Sequence, residues 1–153
     1  MEHRVERASR SCVDRRMSRR DEADFVLSMA GHLSRRDQVL IDYIYGQGKS
    51  VADYARLVRC NFRTAQQRIQ SIIKRIYSKN FQYLIAHEPL LPREYRAVAR
   101  RLILEGRGLR NTARLTGRSL HQVRRQHLEL LVLLEAQSRA WSAGDPVERG
   151  VQK

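Results

Sequence analysis

Apolar residues recur along this chain at intervals of three and four, the spacing that lines one side of an α-helix. Val39, Leu40, Tyr43 and Ile44 form one stripe, Ala65, Ile69, Ile72, Ile73 and Ile76 a second, and Val98, Leu102 and Ile103 a third. Between the stripes stand residues that start and stop helices. Ser34, Ser50, Asn61 and Ser119 can accept hydrogen bonds from the first free N–H groups of a helix. Gly46 and Gly48, and again Gly106 and Gly108, are suited to C-caps and turns. The pattern predicts an all-α fold. Its helices are expected over 21–30, ended by Gly31, then from Ser34 to Gly46, from Val51 to Val58 and from Phe62 to Tyr77, with a similar succession after Pro92. The short run Phe81, Tyr83, Leu84 and Ile85, closed by Pro89, is expected either to extend the long helix or to pack two units together.

The succession repeats. A shift of 58 residues carries Leu33 onto Leu91, Arg35 onto Arg93, Gly48 onto Gly106 and Ala55-Arg56-Leu57 onto Ala113-Arg114-Leu115 without a gap. Apolar character also matches at Ile44/Leu102, Val51/Leu109, Ala65/Val123, Ile72/Leu130 and Ile76/Leu134. These matches read as small, turn and core positions of one shared backbone, used twice. The expected organisation is a basic arm over 1–20, a first unit over 21–88, a second over 89–138 and a polar tail over 139–153, in which Trp141 either docks or is free.

In the second copy, 112–131 contains a short amphipathic helix, a break at Gly117 and a second helix opened by Ser119. Ala113 is small enough for a crossing helix to approach, Gly117 can take the positive φ of a tight turn, and Val123 is predicted to point back at Ala113. This is the grammar of a helix-turn-helix, and each copy is expected to be a tri-helical unit of that kind. The second helix then offers His121, Gln122, Arg124 and Arg125 outward. In the first copy Arg63, Thr64, Gln66, Gln67 and Gln70 hold the same face, and all of these types can bond phosphates or base edges. One departure stands out. Arg59 occupies the position of Gly117, so the first turn must strain or take another form.

Charge narrows the choice of partner. The chain carries 30 Lys and Arg against 16 Asp and Glu, a formal net charge of +14. Such an excess repels itself in a compact fold and suits a polyanion, and Arg binds phosphate bidentately. Arg4, Arg7 and Arg10 lie in a start with little apolar periodicity, expected to be a disordered arm that contacts phosphates. No apolar run reaches the roughly 18 residues of a membrane span, and the chain start lacks the apolar core of a signal peptide. The expectation is a soluble, cytoplasmic, nucleoid-associated protein with no membrane partner. His3, His32, His87, His121 and His127 make no pattern with carboxylates or cysteines that zinc or a nucleophilic triad would use, so no metal, cofactor or enzymatic activity is expected. Cys60 is expected to be a small core residue.

With Leu33-Ser34-Arg35-Arg36 as an opening and Gly48-Lys49-Ser50-Val51-Ala52-Asp53-Tyr54-Ala55 leading through Asn61 and Thr64 to Arg68-Ile69, the first copy resembles the helix-turn-helix of bacterial sigma factor region four. The resemblance covers about 33–77 and, more loosely, 91–134. It departs at Arg59 and Ala65 in the first copy and at Pro92 in the second. The thirty-odd residues upstream are too few for that family's core-binding and promoter-melting domain. The resemblance therefore implies a DNA-binding transcription regulator or sigma-like accessory protein, with duplex DNA as partner and RNA polymerase as a second candidate. Other classes stay open: an RNA- or ribosome-binding basic protein, a protein-docking helical module, or DNA recognition of the phage-packaging type.

The copies differ at one further place. With Val123 inward and about 100° per residue, Leu128 falls at about 140° and Val132 at about 180°, on the outward face, where the first copy has Gln70 and Lys74. Two accounts are open: the stripe packs on the first copy or on 81–85, or it joins two chains as a homodimer.

Overall fold

The helical stripes fold as helices throughout. A computed structural model of the chain describes residues 18–142, which form α1 (18–29), α2 (Arg35–Ile41), α3 (Val51–Leu57), α4 (Phe62–Ile76), α5 (Lys79–His87), α6 (Arg93–Ala99), α7 (Leu109–Thr116) and α8 (Leu120–Ser142). Single 3₁₀ turns stand at Ala30–His32 and Glu88–Leu90, and π turns at Asp42–Gly46 and Arg100–Leu104. Among the described residues the chain is all-α, without strands. The basic arm lies outside the described residues up to position 17. Positions 18–20, assigned to it from composition, are already helical. The tail past 142 also lies outside the described residues, whereas 139–142 continue α8.

The described residues form two compact units, divided between Ile73 and Lys74 within α4. The boundary expected at 88/89 is thus displaced upstream. The reason is α5: it packs against α8 and against the π turn at Arg100–Leu104, and it buries Phe81, Tyr83 and Leu84. Segment 79–87 is a separate helix of the second unit and not an extension of α4. Ser78 ends the connection by accepting a hydrogen bond from the Phe81 N–H at 3.3 Å, a cap that starts a new helix.

Element boundaries recur at the 58-residue interval. α2 and α6, the two π turns, and the starts of α3 and α7 and of α4 and α8 all fall on corresponding positions. So do the 3₁₀ turns, each closed by an equivalent bond, Leu33 N–H to Ala30 O and Leu91 N–H to Glu88 O. The recurrence reaches further upstream than the residue matches do, because Val26 of α1 and Leu84 of α5 are both fully buried at the same offset. Among the described residues each unit therefore has four α-helices: α1 fulfils the helix expected over 21–30, and α5 adds its counterpart to the three expected in the second copy.

Capping explains where the helices begin. Ser34 accepts from Asp37 N–H at 3.4 Å, and Ser50 and Asp53 bond each other reciprocally, a capping box that satisfies two orphan donors of α3. Gly48 and Gly106 hold φ of 65° and 62°, as turn residues. Gly108 does something else: it is the N-cap of α7. Gly46 closes its π turn.

In the second unit, Val98, Ala113 and Val123 form one buried cluster, with Leu102 and Leu109 packed on it. Ala113 and Val123 meet as their spacing predicts, because Gly117 at φ 65° turns the chain between α7 and α8. In the first unit the same job falls to Arg59, which takes φ 53°. Both turns keep the same bond, Cys60 N–H to Ala55 O at 2.9 Å and Arg118 N–H to Ala113 O at 3.1 Å. The shared backbone thus overrides the side chain, at a cost of about 1–2 kcal/mol for a non-glycine residue in this region. Some apolar matches are not core. Leu57 and Leu115 are exposed in both copies, Val39 is exposed, and Cys60 is only half-buried.

Thr112 supplies a stability prediction. It is fully buried, and its hydroxyl has no hydrogen-bond partner among the described residues. Valine has the same shape without the desolvated hydroxyl, so Thr112→Val is expected to stabilise the chain by about 1 kcal/mol. Urea unfolding measures this directly. A loss of stability would mean that the hydroxyl makes a bond in solution.

Candidate nucleic-acid interface

The helix that follows each left-handed turn begins with a side-chain cap and exposes its first turns. In the first unit Asn61 Oδ1 accepts from Arg63 N–H at 2.8 Å. Ala65, Ile69 and Ile72 then bury one side of α4, leaving Arg63, Thr64, Gln66, Gln67 and Gln70 exposed together on the other. In the second, Ser119 Oγ accepts from Gln122 N–H at 3.2 Å and Gln122 Oε1 accepts from Ser119 N–H at 2.9 Å. Val123 and Leu130 are buried, while His121, Gln122, Arg124 and Arg125 are exposed.

Not all of these groups are equally available. Reading adenine bidentately takes both the amide oxygen and the amide nitrogen of a glutamine. The oxygen of Gln122 already accepts the Ser119 N–H, so a base contact there shares that oxygen with the cap, whereas Gln66 and Gln67 make no side-chain hydrogen bond among the described residues. Arg125 Nε lies 3.6 Å from Glu129 Oε1, a long, exposed pair of small energetic weight. Arg63 and Arg124 make no ion pair among the described residues and point their charge into solvent.

Other charged groups set the scaffold. Arg68 on α4 bonds the buried Asp37 of α2 through Nε and Nη2, at 3.2 and 2.9 Å, tying the exposed helix to the second helix of the unit. The second unit replaces that pair. Tyr95 of α6 donates to Glu129 Oε2 at 2.7 Å, and this bond to a carboxylate holds the phenol above its usual range. Arg118, in the turn, donates to Glu94 O at 2.8 Å and to Gln126 Oε1, so it fixes the turn and is not a free cation. Glu105 bonds both Arg107 and Arg101. Burial alone would raise its carboxyl, but the two guanidinium groups outweigh burial and hold it low. Asp53 is also held low, by its bonds to the Ser50 hydroxyl and N–H.

Residue patterns missed one feature of this face. Leu57, Val58 and Phe62 are exposed around the turn of the first unit. Their only sequence signal is the loss of helical phase at Val58 to Asn61, which places apolar side chains beside the turn instead of beneath it. Arg4, Arg7 and Arg10 lie outside the described residues. None of the described helices is long and apolar enough to cross a membrane. No protein-family model matches the chain, and neither does any curated protein or solved structure.

Proposed function

We propose that the chain binds duplex DNA through two helix-turn-helix units, with α4 and α8 as the helices that enter the major groove. One observation carries this reading. At the same position of two copies of one backbone, a capped helix behind a left-handed turn exposes Arg, Gln, Thr and His on the side opposite its buried face. The net charge of +14 supplies the attraction to phosphate. A role as a transcription regulator or sigma-like accessory protein, acting at the nucleoid with RNA polymerase as a partner, rests on the residue pattern of 33–77 and is part of the same proposal.

Selection of bound fragments from a random duplex pool tests it. The expected result is an enriched site with two unlike halves, since the exposed residues of the two copies differ. Alanine at Gln66, Gln67 or Arg124 should each relax preference at a single base position, by about 1–3 kcal/mol. Background binding without an enriched motif would favour an RNA-binding role, and no retention at all would favour a docking module.

A further inference from the structure

We propose that two copies of the chain pair through α8, with the Leu128 and Val132 stripes lying antiparallel about a two-fold axis at the level of Leu130. The inference does not rest on DNA binding and is tested without DNA. Leu128 and Val132 are 65% and 67% exposed, so within its own unit the stripe is not packed on 81–85. The fold does not require them to be apolar, because Gln70 and Lys74 occupy the same positions of the first copy and are exposed there. Together with Tyr95, Glu129 and Leu133 they line an open depression of about 470 Å³.

The order of charges along the stripe selects the occupant. At about 100° per residue, Arg125, Leu128, Val132, Glu135 and Arg139 share one face, with Arg125 toward the start of the helix and the Glu135–Arg139 pair toward its end. A two-fold axis at the level of Leu130 sets Leu128 opposite Val132 of the second copy and Arg125 opposite its Glu135, and symmetry makes each contact twice. A parallel pair would oppose Arg125 to Arg125 and Glu135 to Glu135. The face is therefore complementary to itself in one direction only. The existing pairs, Arg125–Glu129 at 3.6 Å and Arg139–Glu135 at 2.5 Å, are exposed pairs within one helix and weak enough to be exchanged. The overall charge of +14 opposes association at long range, but at physiological salt it is screened beyond about 8 Å.

Sedimentation velocity of the full chain at physiological salt is the test, against a monomer mass of 17.9 kDa. The parent is expected to be a dimer. Leu128→Gln combined with Val132→Lys, the residues of the first copy, should give a monomer with unchanged helical circular dichroism and no loss of thermal stability. Arg125→Glu or Glu135→Arg alone should weaken the dimer roughly tenfold, and the two together should restore it. A parent that stays monomeric at its highest soluble concentration overturns the proposal, and so does a dimer untouched by the double apolar substitution. Charge reversals that do not rescue one another overturn the antiparallel register.

Discussion

Duplex DNA binding should weaken by about 10³–10⁵-fold between roughly 50 and 200 mM salt, if the chain neutralises about six to ten phosphates. Each neutralised phosphate releases condensed counterion, and the slope of log K against log salt is about −0.9 per phosphate. The chain has the charge for this, since its 30 basic residues exceed its acidic ones by 14 and most are Arg. A titration at four or five salt concentrations gives the slope. Removing Arg4, Arg7 and Arg10 should make it shallower and lower affinity for all sequences alike, because phosphate contacts carry no base information directly. A flat salt response would refute the proposed interface, and a changed sequence preference on arm removal would refute the division between arm and helices.

The second large effect concerns folding. Phe81→Ala is expected to destabilise the second unit by about 3–5 kcal/mol, the usual cost of emptying a fully buried aromatic site. Phe81 is 0% exposed and sits on a helix that packs against α8, so its loss leaves a cavity at the base of the proposed reading helix. A unit of this size has little stability to spare. Urea unfolding should show the loss, and a change below about 1 kcal/mol would return 79–87 to the status of a connector.

That helix also shows where residue patterns stop being informative. The Ala113–Val123 contact and the Gly117 turn are legible because each depends on a residue type with a steric reason to be there. α5 is nine residues long and ends near a proline, and its correspondence with α1 involves no identical pair; Val26 and Leu84 agree only in being apolar and buried. Its membership in the repeat becomes visible only through tertiary packing. Leu57 and Leu115 mislead in the opposite way. They are identical at the repeat interval yet exposed, because α3 and α7 bury Ala55 and Ala113, two residues earlier, and a step of two residues crosses to the far side of a helix. Val39 fails for a related reason: five apolar residues in the six positions 39–44 span more of the helix than one buried face can hold, and Leu40 and Ile41 occupy that face. Arg59 was the least readable site, since only the backbone of the other copy explains its left-handed conformation.

In the proposed interface, the reciprocal bonds between Ser119 and Gln122 link base contact to the start of α8. To offer both amide atoms to an adenine, Gln122 would share its oxygen with the Ser119 N–H or give up that reciprocal half of the box, while Ser119 Oγ still holds the Gln122 N–H. A bidentate base contact yields about 1–3 kcal/mol, and competition for the oxygen lowers that figure at Gln122. On the proposed reading, the base pair facing Gln122 is read less sharply than the one facing Arg124, which makes no ion pair among the described residues.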